Sequence, residues 1–175
     1  VSDVARRIVW VGLRAADQTE YDARAPDMLD VPGRRFLDLT LTGPIEFSRA
    51  NNRRDAARVL GRNALEGIDW VLVGGESRRQ ALDRGGWPRW PRPCDLAWIE
   101  SVVRQCRACG VPVYVKRIGA QPWRMYPGHV MDGDPCACGA CDGGQERLQP
   151  HRHGVDPVEW PETLRVRELP KTMTE

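Results

Sequence analysis

A chain of 175 residues falls in the range of roughly 100 to 200 residues for which one hydrophobic core is the default. Hydrophobic residues at 41% and charged residues at 29% exclude a disordered tail, and Gly 17 and Pro 14 show none of the periodicity of a fibrous repeat. The formal net charge of +2 is too small to announce a polyanion partner.

No apolar run approaches the roughly 18 residues that a membrane span needs. The start, Val1-Ser2-Asp3, lacks the basic-then-apolar layout of a secretion signal. These features, with the cysteine usage below, give the expectation of a cytoplasmic protein.

Residues 7–12 read as a short buried strand and residues 18–29 as a helix, after which Pro32-Gly33 breaks the chain. Residues 35–39 are the next strand, ended by Thr42-Gly43-Pro44. Residues 48–62 are arginine-rich with a weak apolar face, compatible with a surface helix or an irregular loop. Residues 68–73 form a continuous apolar run into Gly74-Gly75-Glu76-Ser77, the pattern of a strand buried on both faces as in parallel sheets.

A long Gly-, Pro- and Trp-rich connection spans residues 78–93. Asp95 then caps a helix whose Leu96, Ile99, Val102 and Val103 recur at helical spacing, and Gly110 stands at its C-terminal cap. Residues 112–116 are the following strand, and residues 164–167 suggest a final short one. The repeated βα order predicts an α/β fold with parallel strands, organised as a single domain over residues 1–175.

The six cysteines are Cys94, Cys106, Cys109, Cys136, Cys138 and Cys141. Three of them crowd into one loop, which favours metal binding in a reducing compartment over a disulfide scaffold. Cys136, Cys138 and Cys141 with His151 and His153 offer three thiolates and two imidazoles, of which a tetrahedral zinc takes four. Residues 124–154 are therefore expected to be a loop insertion stabilised by structural zinc. Free thiols on a surface loop and an iron–sulfur cluster are the competing accounts. Cys106 and Cys109 have Cys-x-x-Cys spacing but lie at a helix C-terminus, so Cys106 reads as a small core hydrophobe, not as a redox thiol.

Gly74, Gly75, Glu76 and Ser77 follow the carboxyl end of a parallel strand, where α/β folds place ligands. They lack a Walker lysine and a dinucleotide glycine pattern. Glu76 either binds a ligand or caps a turn. Lys116, at the end of the next strand, either pairs with a carboxylate such as Glu76, meets an anionic ligand, or extends to solvent. Trp87 and Trp90 can stack on bases or sugars, and Arg53, Arg54 and Arg58 can touch phosphate. Packing and a solvated face are the plainer accounts of each.

The ordered series of Trp10-Val-Gly-Leu, Asp17-Gln18, Arg35-Phe36, Gly43-Pro44-Ile45, the strand and loop from Asp69 to Ser77, residues 110–116, and Glu159-Trp160-Pro161-Glu162 resembles the phage protein family named after gene products thirty-seven and sixty-eight. That resemblance implies a barrel similar to radical S-adenosylmethionine enzymes, of which this chain matches the C-terminal portion. It also implies an upstream three-cysteine segment able to hold a [4Fe–4S] cluster, and no such segment stands before Trp10. Arg14 and Ala16 replace the family's serine and glutamate, and Thr40 and Leu41 stand near a missing glutamate-proline pair.

The expectation is a partial (β/α) barrel-like parallel sheet with a Cys/His loop near its C-terminus. The resemblance further implies a relative that is either truncated or dependent on a separate cluster-bearing protein, with catalysis by this chain alone not expected. The valine start agrees with truncation. The alternative is a zinc-stabilised binding module that contacts protein or nucleic acid.

Overall fold

The computed structural model describes residues 9–47, 65–77, 91–125, 145–148 and 154–171. Its chain order is β1 (Trp10–Ala15), α1 (Gln18–Asp30), β2 (Arg34–Thr40), β3 (Trp70–Gly74), β4 (Cys94–Asp95), α2 (Leu96–Ala108), β5 (Val113–Arg117), β6 (Pro122–Met125) and β7 (Gln145–Arg147). Two 3₁₀ turns, Pro157–Glu159 and Glu162–Leu164, follow. Among the described residues no helix is long and apolar enough to cross a membrane.

The main sheet has four strands in the order β1-β2-β3-β5, all parallel, so the expected mixed α/β class holds. Period-two alternation sorts its side chains into two faces. Leu13, Ala15, Leu37, Leu39, Val71, Val73, Val113 and Val115 are buried on one face. There they share a core with Ala25 and Met28 of α1 and Leu96, Ile99, Val102, Val103 and Cys106 of α2. The opposite face carries Trp10, Phe36, Trp70 and Tyr114, whose rings meet edge to face with neighbouring centroids 6.3 Å apart. Nearer the carboxyl ends the same face carries Arg14, Asp38 and Lys116.

Both helices are capped as their sequences dictate. The Asp17 side chain accepts a hydrogen bond from the Glu20 N–H, and Asp95 accepts one from Ala97. Gly110, at φ +69°, takes the left-handed conformation after α2.

Three differences from the sequence reading concern boundaries. β1 runs from Trp10 to Ala15, beyond the expected end at residue 12, and residues 7 and 8 of the expected strand lie outside the described residues. Residues 164–167 make a single antiparallel bridge, Tyr114 with Arg167, because the 3₁₀ turn Glu162–Leu164 occupies their start. A small second sheet, β4-β6-β7, also forms. Its strands are two to four residues long, too short to show a period.

The two edges of the main sheet differ. The outer edge of β5 is covered by the C-terminal segment, through Val115 N–H to Val166 O at 2.8 Å and Glu168 N–H to Val113 O at 3.0 Å. The outer edge of β1 has no strand beside it among the described residues.

Candidate functional site

The register of the parallel strands assembles charge at their carboxyl ends. Arg14 of β1 lies opposite Asp38 of β2, and its guanidinium donates to the Asp38 carboxylate at 3.1 and 3.3 Å. From the far side Lys116 of β5 crosses over β3 and donates to the other oxygen of Asp38. The Asp38 and Lys116 side chains are 20% and 19% exposed, whereas that of Arg14 is 68% exposed. One carboxylate thus sits between two cations on the sheet face opposite α1 and α2.

Burial raises the Asp38 carboxyl, but the hydrogen bond and charge of Lys116, joined by Arg14, outweigh it and hold the group below the usual carboxylate range. Lys116 is pushed below the ordinary lysine value. Burial is the largest cause, and the nearby Arg117 and Arg14 charges add to it against the opposing pull of Asp38.

Lys116 therefore does meet a carboxylate, and that carboxylate is Asp38. Glu76 is engaged elsewhere: it accepts the Arg92 backbone N–H at 2.8 Å and the Arg92 guanidinium at 2.9 and 2.6 Å. It pins the point where the chain returns toward β4. Ser77 beside it is buried.

The glycines of this loop answer to packing. A Cβ on Gly74 would lie 2.5 Å from the Arg117 carbonyl oxygen, and one on Gly75 would lie 2.8 Å from that of Ile118 and 2.9 Å from the Cys94 Cβ. The Gly75 N–H is spent on the Arg117 carbonyl at 3.2 Å, and the Ala120 N–H reaches the Glu76 carbonyl at 2.8 Å. The loop is laced to the residues after β5, with Lys116 on the neighbouring strand.

Asp38 and Arg14 were not singled out as site residues from the sequence. The available signal was an acid between Leu37 and Leu39. The five metal candidates Cys136, Cys138, Cys141, His151 and His153 lie outside the described residues, as do Trp87, Trp90, Arg53, Arg54 and Arg58. Among the described residues no group of three or more His, Cys, Asp or Glu is placed to hold a metal ion. Cys94 and Cys106 are buried thiols pushed up to about 12, chiefly by burial, which makes them poor ligands and nucleophiles.

A family model described as a protein of unknown function, DUF5131, matches residues 2–155. The chain belongs to the DUF5131 family. The match includes all of the four-stranded sheet and both helices, so the Arg14–Asp38–Lys116 row lies within the DUF5131 region. The Trp160 and Arg167 packing at the C-terminus lies beyond it. Neither a curated protein nor a solved structure matches the chain.

Proposed function

We propose that this chain is an enzyme-derived α/β unit that binds a small anionic molecule at the carboxyl ends of its parallel strands. Any radical chemistry then depends on a separate partner that bears an iron–sulfur cluster. The observation that carries the reading is the convergence of Arg14, Asp38 and Lys116 on the sheet face opposite α1 and α2, with two cations about one carboxylate. Ligands of parallel α/β sheets sit beyond the carboxyl ends of the strands, and the surplus positive charge there selects a carboxylate or phosphate. Gly74, Gly75, Glu76 and Ser77 supply the adjoining wall.

The barrel-like architecture, the kinship with phage proteins and with radical S-adenosylmethionine enzymes, and the cytoplasmic location belong to this proposal. They rest on the ordered motifs and cysteine usage of the sequence.

Calorimetric titration of the purified chain with acetate, inorganic phosphate and pyrophosphate tests the reading. Binding of at least one, weakened about tenfold or more by Lys116→Met, supports it. No binding of any of the three overturns the ligand site. Failure of a cluster-bearing protein to associate with the chain overturns the partner.

A second reading is a non-catalytic binding module that contacts protein or nucleic acid and is stabilised by zinc on four of Cys136, Cys138, Cys141, His151 and His153. It is favoured by the engagement of Asp38 and Glu76 with protein cations, since such carboxylates are poorly placed to hold a cofactor's ribose or amine. Zinc close to one ion per chain, with ligand titrations silent, selects this module.

A further inference from the structure

Only two of the 26 lysine and arginine side chains are lysine, Lys116 and Lys171. Where arginine is the rule, an ion pair or an anion contact is served at least as well by its planar fork. A guanidinium keeps its proton, whereas an ammonium can release one, and the free amine is a nucleophile. Lysine at residue 116 therefore adds a capacity that the arginines around it lack.

The surroundings suit a reactive amine. Lys116 stands at the carboxyl end of β5, its side chain 19% exposed, with Asp38 as its hydrogen-bond partner. Leu72 lies opposite Asp38 in the register and Tyr114 opposite Leu72, so apolar surface flanks the pair on the same face. Burial and the Arg117 and Arg14 charges favour the neutral amine, against the pull of Asp38. The Arg14 guanidinium reaches Asp38 through Nε and Nη2, which leaves Nη1 without a hydrogen-bond partner among the described residues. Amine and guanidinium thus stand on either side of one carboxylate, where one small molecule can meet both.

We propose that Lys116 forms an imine with a 2-oxo acid such as pyruvate, whose carboxylate lies on Arg14. The inference rests on the anion site proposed above and names its substrate class. Asp38 takes a proton from the Lys116 ammonium, and the freed Nζ lone pair bonds to the carbonyl carbon as the C=O π bond breaks. The oxygen recovers that proton from Asp38, giving a carbinolamine. A second nitrogen proton passes through Asp38 to the hydroxyl, which leaves as water, and a protonated C=N bond remains. Ammonium and ketone become iminium and water, with no oxidant or reductant.

Treating the whole chain with pyruvate and sodium cyanoborohydride, which reduces an imine to a stable secondary amine, tests the proposal when each lysine is read by peptide mass spectrometry. Lys171 is exposed and serves as the internal control. Lys116 is expected to be labelled about tenfold or more above Lys171 in the folded chain, and no more than Lys171 in guanidinium chloride. Acetate, competing for Arg14, is expected to suppress the label at Lys116 alone. Label at Lys116 no greater than at Lys171, with acetate still bound in calorimetry, overturns the imine and leaves the anion site standing. Absence of both label and anion binding overturns the two together. An Asp38→Asn chain that is folded by circular dichroism and labels as fast as wild type overturns the proton relay.

Discussion

Lys116 of β5 and Asp38 of β2 are joined by a hydrogen-bonded ion pair that spans the intervening strand β3. The pair holds together strands that share no backbone hydrogen bonds, and both side chains are largely withdrawn from solvent. Loss of one partner from such a pair leaves an uncompensated charge, a larger effect than loss of an exposed pair. Lys116→Met is expected to lower the unfolding free energy by about 2 kcal/mol, between the exposed and fully buried limits. Arg14→Ala, at an exposed side chain, is expected to cost less than about 1 kcal/mol. Urea denaturation of the two variants checks the order, and equal costs would refute the assignment of Lys116 as the main partner of Asp38.

The same pair shapes the acid limb of stability. A carboxyl whose pKa is lower in the folded than in the unfolded chain is bound by more protons when unfolded. Its stabilisation is therefore complete above the ordinary carboxylate value and is lost as pH falls through the lowered one. Asp38 is of this kind. Asp38→Asn is thus expected to be destabilising near neutrality, with the gap to wild type closing as pH falls from about 5 to about 2. Lys116, lowered as well, acts at the other end: the unfolded chain holds its proton longer, so its contribution rises with pH between the lowered value and the ordinary lysine value. Denaturant titrations across pH read both limbs. A pH-independent gap for Asp38→Asn would remove the ion pair as its cause.

Gly74 and Gly110 are glycines for different reasons. A Cβ on Gly74 meets the Arg117 backbone at 2.5 Å, and backbone cannot swing aside as a side chain does. Gly110 has open space around it and only its φ of +69° to satisfy. Gly74→Ala is expected to cost about 2 kcal/mol or more by forcing β3 from β5, and Gly110→Ala about 1 kcal/mol through the left-handed backbone alone. Thermal unfolding of both variants distinguishes them, and a silent Gly74→Ala would contradict the close approach of the strands.

How much of this could be read from the sequence depended on whether the signal was local. The run of residues 68–73 into two glycines, and Asp95 ahead of a 3.6-residue apolar period, declare β3 and α2 because each pattern is complete within its own segment. Cys106 was legible as core for the same reason, being one turn past Val102 on the buried side of α2. The Lys116–Asp38 pair was not legible. It requires the order β2-β3-β5 and the register within it, and neither is written near Asp38. The bridge of Arg167 to Tyr114 illustrates the converse. Alternation in residues 164–167 imitates a strand, but Arg167 places its guanidinium over the rings of Tyr114 and Trp160, 5.4 and 5.7 Å from their centroids, and pairing stops there. A closed barrel is a property of strand number and tilt that no single segment encodes.

Thiol reactivity separates the structural cysteines from the proposed metal ligands. Cys94 and Cys106 are pushed up to about 12 by burial, with neighbouring negative charges adding to the rise. Almost no thiolate exists at neutral pH, and the thiolate is the form that alkylates. Native-state treatment with iodoacetamide followed by peptide mass spectrometry is therefore expected to leave both unmodified until denaturant is added. Cys136, Cys138 and Cys141 are expected to alkylate rapidly after treatment with a chelator and slowly with zinc present, since a coordinated thiolate is shielded. If these three react at the same rate with and without zinc, the zinc proposal fails. Fast modification of Cys94 or Cys106 in the folded chain would instead contradict their burial beneath the sheet and α2.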